Sequence, residues 1–149
     1  MNKLGPVEYP YEDDKLLLDE EELHWTGEAF YEGHMSPYGK PEGRGIMYYP
    51  DGDVYEGEFL MGLPDGYGRW YGGEDLTGEW FEGYWRVGLK EGQGVYHTKI
   101  NDVYHNHWHE DLKNGEGFVE YANGDSFEGR WEMGEIEGIG TYTTHDGDV

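Results

Sequence analysis

The chain has 149 residues, with 33 acidic against 10 basic side chains, a net charge of −23 and no cysteine. That length suffices for one domain. The charge repels nucleic-acid phosphates and anionic lipid surfaces. The missing thiols exclude disulfides, thiolate metal sites and a cysteine nucleophile.

Glycine supplies 26 residues without a strict Gly-X-Y period, which excludes collagen. Aromatic residues are 17% of the chain and all apolar residues 36%. So many rings with few aliphatic side chains suit a thin sheet better than a thick, Leu-rich core. Regular spacing of rings and glycines also argues against disorder, despite the charge. The opening stretch, MNKLGPVEYPYEDD, holds no apolar signal core. No apolar run reaches the ~20 residues of a membrane span. The expected compartment is the cytoplasm.

In chain order, residues 1–24 read as an acidic N-terminal extension. Leu16-Leu17-Leu18 lies there between acidic blocks. It belongs either to a solvated tail or to a short element laid on the exposed first edge of the repeats. Those repeats run from residue 25 to 149. Gly-Xaa-Gly doublets fall at Gly43/Gly45, Gly66/Gly68, Gly92/Gly94, Gly115/Gly117 and Gly138/Gly140, in steps of 23, 26, 23 and 23 residues. A ring precedes each doublet: Tyr31, Tyr55, Phe81, Tyr104 and Phe127. A fixed period of this size marks a repeat architecture. The units run over about 25–52, 53–75, 76–101, 102–124 and 125–149. The first is irregular, because Ser36 to Pro41 lengthens its loop. Pro37 and Pro41 predict a rigid turn there, not a ladder-paired strand.

Count the starting ring as position 0. Position 2 is then Gly57, Gly83, Asn106 or Gly129, and position 4 is Phe59, Trp85, Trp108 or Trp131. Side chains alternate along a strand, so positions 0, 2 and 4 share one face. A glycine between two rings leaves bare backbone on which a cross-strand ring can lie. Positions 1, 3 and 5 face the other way and are often charged, as a half-buried antiparallel strand requires. Turns such as MGLPDG and RVGLKEG come next, then return strands at 69–71, 95–97, 118–121 and 141–144. Asp51-Gly52 and Asn123-Gly124 signal tight hairpin turns. Asn101 holds the corresponding place in another repeat and tolerates the left-handed region. The expected fold is all-β: one elongated, single-layer, twisted antiparallel meander of about five hairpin repeats and roughly ten strands.

The segments YEGEFLMGLPDGYG, FEGYWRVGLKEGQG and FEGRWEMGEIEGIG resemble the MORN repeat (membrane occupation and recognition nexus). Tyr104 to Gly117 matches less well, with Asn106 and Asp111 in glycine positions. The resemblance implies a sheet whose aromatic face can hold a partner helix. It also implies a scaffold role, as in cilia, flagella and membrane–cytoskeleton contacts. No catalytic domain fits in the residues outside the repeats.

The chemistry-bearing candidates agree with a non-catalytic protein. Gly66-Tyr67-Gly68 lacks the Gly-Lys-Ser/Thr ending of a nucleotide loop and recurs in each repeat. Neither Ser36 nor Ser126 lies in a nucleophile elbow. Carboxylate pairs are abundant, but a single-layer sheet offers little enclosure for them. His105, His107 and His109 share one strand face and could hold Zn²⁺ weakly or pair with carboxylates as pH changes. No cofactor is expected.

The expected partner is a protein with a basic surface or helix. It is expected to bind Tyr55, Phe59, Phe81, Trp85, Tyr104, Trp108, Phe127 and Trp131. Thr141, Tyr142 and Thr143 form a last strand without charge or proline, an edge open to a partner strand or a second copy. Phospholipid recognition is the alternative reading, and the charge opposes it.

Overall fold

A computed structural model describes residues 5–10, 22–26, 29–73 and 78–147. Leu16 to Leu18 lie outside the described residues, as do residues 74–77 of the longer connection between the second and third repeats. Eleven strands form one open antiparallel sheet in sequence order. They are β1 (Glu22–Thr26), β2 (Ala29–Met35), β3 (Pro41–Tyr48), β4 (Val54–Leu60), β5 (Leu63–Gly72), β6 (Glu79–Arg86), β7 (Leu89–His97), β8 (Val103–His109), β9 (Leu112–Glu120), β10 (Ser126–Glu132) and β11 (Glu135–Thr143). β1 straddles the boundary expected at residues 24 and 25 and adds a strand to the ten that the repeats supply.

The turns are tighter than the sequence suggests. Within the later repeats the chain reverses in two residues, Met61-Gly62, Val87-Gly88, Glu110-Asp111 and Met133-Gly134, all with positive φ. Two consecutive residues of this kind make the hairpin turn whose twist matches that of the strands. The residues read as turn, Leu63-Pro64-Asp65 and Leu89-Lys90-Glu91, therefore begin the return strands. Pro41 departs from expectation in the same way. It opens β3 and pairs with Met35, because the first residue of a strand is a place where proline's missing N–H is tolerated.

The two glycines of each doublet do different work. The first (Gly43, Gly66, Gly92, Gly115, Gly138) has φ between +74° and +103°. In the hairpins the ladder register shifts opposite this residue, as between Gly57 and Phe59, so it is a bulge residue for which left-handed backbone favours glycine. The second lies under a ring. A Cβ on Gly68 would strike the Tyr55 ring, and one on Gly94 the Phe81 ring.

The repeats are also bonded along both rims of the sheet. On one rim, the Gly62 N–H donates to Pro41 O (3.0 Å), Gly88 to Pro64 O (2.8 Å) and Gly134 to Lys113 O (2.8 Å). On the other, Asp53 accepts from Gly73 (2.9 Å), Asp102 from Ala122 (2.8 Å) and Asp125 from His145 (2.8 Å). The bonds of the first rim join one repeat to the next, which is how a solenoid-like array gains stability from nearest neighbours, and those of the second tie the two ends of one repeat together.

Candidate interaction surfaces

The ring face is the core. Tyr55, Phe59, Phe81, Trp85, Trp108 and Trp131 are all buried, with Tyr31, Met47 and Val119. Tyr104 and Phe127 are half-buried. The rings meet edge to face in a chain: Tyr31–Phe59 (5.1 Å), Phe59–Tyr55 (5.0 Å), Tyr55–Trp85 (5.3 Å), Trp85–Phe81 (5.2 Å) and Phe81–Trp108 (5.2 Å). This geometry places ring edges on ring faces, as the aromatic quadrupole favours. Polar atoms on the rings are satisfied by backbone. Tyr55 donates to Glu58 O (3.0 Å), and Trp85 Nε1 to Gly68 O (3.1 Å).

The sequence assigned these rings both to the core and to partner contact. Burial corrects the second assignment for six of the eight: surface closed by the protein's own side chains presents nothing for a partner to cover.

Two lysines enter this face at the place where earlier repeats have Pro41 and Pro64. Lys90 Nζ lies 5.2 Å from the centroids of both Tyr96 and Trp108 and 5.3 Å from that of Phe81. Lys113 Nζ lies 3.9 Å from that of Tyr104. Burial pushes both ammonium groups below their ordinary pKa, and Lys90 adds to the effect on Lys113. Ring faces compensate for part of the lost hydration.

The three histidines do not converge. His105 Nε2 lies 2.9 Å from Glu120 on β9, His109 Nδ1 lies 2.9 Å from Glu91 on β7, and His107 Nε2 lies 3.4 Å from Gln93 on β7. All three are exposed. Among the described residues no group of three or more His, Cys, Asp or Glu could hold a metal ion. The metal reading of the ladder is thereby corrected: His105 and His109 turn to carboxylates on opposite sides, and His107 faces the Gln93 amide nitrogen.

The open concavity lies on the other, polar face. A trough of about 950 Å³ runs across β5 to β11, with Tyr84, Val95, Phe118, Glu128 and Ile139 along it. Upstream of it, the same face carries residues 5–10. Arg69 donates to Gly5 O (2.8 Å), and the Val7 N–H donates to Glu56 Oε2 (2.9 Å). The Tyr9 ring takes the Arg44 guanidinium at 3.8 Å and lies edge-on to Tyr67 at 6.2 Å. Arg69 is buried here and is held by Glu82 Oε1 (2.6 Å) and Tyr71 Oη (2.8 Å). Sequence reasoning missed this arm. Its signal was present in GPVEYP, a stretch with one ring and two prolines distinct from the acidic run after it.

The final edge is exposed. β11 pairs with β10, and in it Ile136, Ile139 and Tyr142 are exposed, Ile139 to 99%. Thr141 is exposed and Thr143 half-buried.

Hairpins of ring and glycine, stapled rim to rim in near-constant steps, define an all-β repeat protein. The MORN repeat family model matches residues 38–54, 55–73, 81–103, 107–126 and 127–149, and the chain belongs to that family. It is 37% identical over 94 residues to Alsin of Rattus norvegicus and 34% identical over 94 residues to Alsin of Homo sapiens. Each of these alignments covers 62% of this chain and 6% of Alsin. It is also 32% identical over 96 residues to ALS2 C-terminal-like protein of Homo sapiens, covering 62% of this chain and 10% of that protein. The chain thus spans a small part of the length of these relatives. Among solved structures, the SAS-4 TCP domain of Drosophila melanogaster, in complex with a proline-rich motif of Ana2, aligns with a TM-score of 0.49 at 14% identity. That alignment covers 95% of this chain and 82% of that one.

Proposed function

We propose that the chain is a non-catalytic interaction module, a scaffold subunit that joins a larger protein assembly. Membership of a repeat family supports this reading. The observation that carries it is the β11 edge: a strand with exposed Ile136, Ile139 and Tyr142 that pairs with β10 alone among the described strands. Soluble proteins protect such edges with charge, proline or a cover, and in β11 charge is confined to Glu135 and Glu137 at its start. Thr141 to Thr143 therefore takes an added strand, from a partner or from a second copy. The charge of −23 favours a basic partner surface. Opposite charge speeds encounter, and salt screens it over about 10 Å at 0.1 M. A cytoplasmic site at cytoskeletal or ciliary structures belongs to the same reading. The charge disfavours an anionic bilayer as the direct ligand.

The test is Thr143→Pro, which removes a backbone donor from the edge strand. Sedimentation of the parent and the variant, each alone and with its captured partner, is the readout. The parent is expected to assemble and the variant to fail, with association slowing as salt is added. Equal assembly by both chains, with β11 amides exchanging quickly in each, contradicts the proposal.

A further inference from the structure

The polar face already binds one extended segment, and the way it does so says what the rest of it can bind. Residues 5–10 lie on it outside the eleven-strand ladder. Their backbone is held by side chains of the face: a carboxylate takes the Val7 N–H, and a guanidinium gives to the Gly5 carbonyl. Val7 is buried, and the Tyr9 ring lodges between Arg44 and Tyr67. Pro10 then reaches the near end of the trough.

Repeat geometry carries the same site onward. The place of Arg69 is taken by Val95, Phe118 and Thr141, and the place of Tyr67 by Gln93, Glu116 and Ile139. The place of Glu56, which receives the arm's N–H, is taken by Glu82, His105 and Glu128. Beyond the arm the face thus loses its guanidinium at the Arg69 position, gains apolar surface at Val95, Phe118 and Ile139, and keeps carboxylates. Phe118 and Tyr84 are exposed to 36% and 38%. Among the described residues Arg130 is the one Lys or Arg lining the trough, against Glu116 and Glu128, while Glu82 is already held by Arg69. An occupant that complements this stretch carries an apolar or aromatic anchor and a Lys or Arg, where the arm carries Glu8.

We infer that the trough over β6 to β11 docks an extended, basic and aromatic segment of a partner protein, beyond the end of the protein's own N-terminal arm. The inference deepens the interaction-module reading by naming a surface and a ligand chemistry separate from the β11 edge. Burial of apolar side chains supplies contact area, and carboxylates that accept peptide N–H groups fix the register.

The probe is the labelled hexapeptide Gly-Pro-Val-Lys-Tyr-Pro, the arm's own sequence with its acid reversed, titrated into the full chain by fluorescence anisotropy. Saturable binding is expected, with a Kd of roughly 0.01–1 mM for so short a segment. Glu116→Lys with Glu128→Lys is expected to weaken it at least tenfold, and Phe118→Ser by a similar factor. Both variants are checked for parental near-UV circular dichroism, and Ile139→Ser, at a fully exposed position, serves as a third variant that leaves the core untouched. No binding up to ~1 mM overturns the inference, as does binding unchanged in all three variants. Binding of phosphatidylserine vesicles that the same variants abolish would assign the trough to a lipid surface and overturn it. Sedimentation showing a dimer lost in Phe118→Ser would assign it to a second copy and also overturn it. Failure of the peptide while Thr143→Pro still abolishes assembly removes the trough and leaves the edge reading intact.

Discussion

Repeats three and four differ on the ring face at Phe81/Tyr104, Gly83/Asn106 and Tyr96/Val119, and the second difference shows what the glycines are for. In repeat three, Gly83 stands between Phe81 and Trp85. The Phe81 ring lies over Gly94, is fully buried, and meets Trp85 and Trp108 edge-on. In repeat four, Asn106 takes the glycine place. Its amide fills the space over Gly117 that a ring fills elsewhere. Tyr104 is displaced to a half-buried position, where it meets Trp131 at 6.4 Å and the Lys113 ammonium. Among the described residues no edge-to-face contact joins Tyr104 to Trp108 directly; Tyr96 bridges them, edge-on to Trp108 at 5.9 Å and stacked on Tyr104 at 6.4 Å. The Asn106 amide is buried with neither Nδ2 nor Oδ1 hydrogen-bonded. One side chain of three heavy atoms beyond Cβ thus removes the direct contact between the two rings of its repeat and diverts the chain of rings through Tyr96 on the return strand.

The largest effect is expected where the two rings of a repeat meet directly. Trp85 is buried, touches Tyr55 and Phe81, and donates to Gly68 O. Trp85→Ala should cost about 3–5 kcal/mol in chemical denaturation, the usual range for a large buried ring. A smaller and opposite change is expected at Asn106. Asn106→Gly removes a buried amide without partners, a penalty of about 1–3 kcal/mol, against a glycine entropy cost of about 0.5–1 kcal/mol. The difference of those two figures is a net gain of about 0–2.5 kcal/mol, with Tyr104 emission shifting as its ring moves over Gly117. A loss of stability would show that the amide is doing something the glycine cannot.

The smallest effect concerns pH. Tyr96, the ring that bridges Tyr104 and Trp108, has its phenol pushed up to about 12, by burial first and then by Glu79. Burial, then Asp51 and Asp53, push Tyr49 up to about 12. A folded pKa above the unfolded value of about 10 contributes stability that is whole below pH 10 and is lost as pH rises toward 12. Thermal stability should therefore hold to pH 10 and fall beyond it, less steeply in Tyr96→Phe.

Much of the fold was legible because its signals are local. Period two fixed which residues share a face, and a recurring ring and doublet fixed the hairpins. The turn length was not legible. Leu63-Pro64-Asp65 looks like turn chemistry, yet Met61 takes positive φ and closes the hairpin two residues earlier. The bulge at Gly66 then lets Pro64 sit in a strand. The choice of surface was less legible still. Alternation separates two faces but does not say which of them closes upon itself. Rings on glycine pack tightly enough to seal the apolar side, so the open trough falls on the side that carries Glu116, Phe118 and Glu128. The arm's contacts, such as Val7 with Glu56, span 49 residues, and no local pattern announces a pairing at that distance.

The central claim is that glycine at position 2 lets the two rings of a repeat couple directly and that Asn106 breaks this direct coupling. Two double-mutant cycles test it side by side: Phe81→Leu with Trp85→Leu, and Tyr104→Leu with Trp108→Leu, each measured by urea denaturation. The account predicts an interaction energy of about 0.5–1.5 kcal/mol for the first pair. For the second it predicts a smaller value, carried only through the shared neighbours Tyr96 and Lys113. Equal couplings in the two repeats would contradict it.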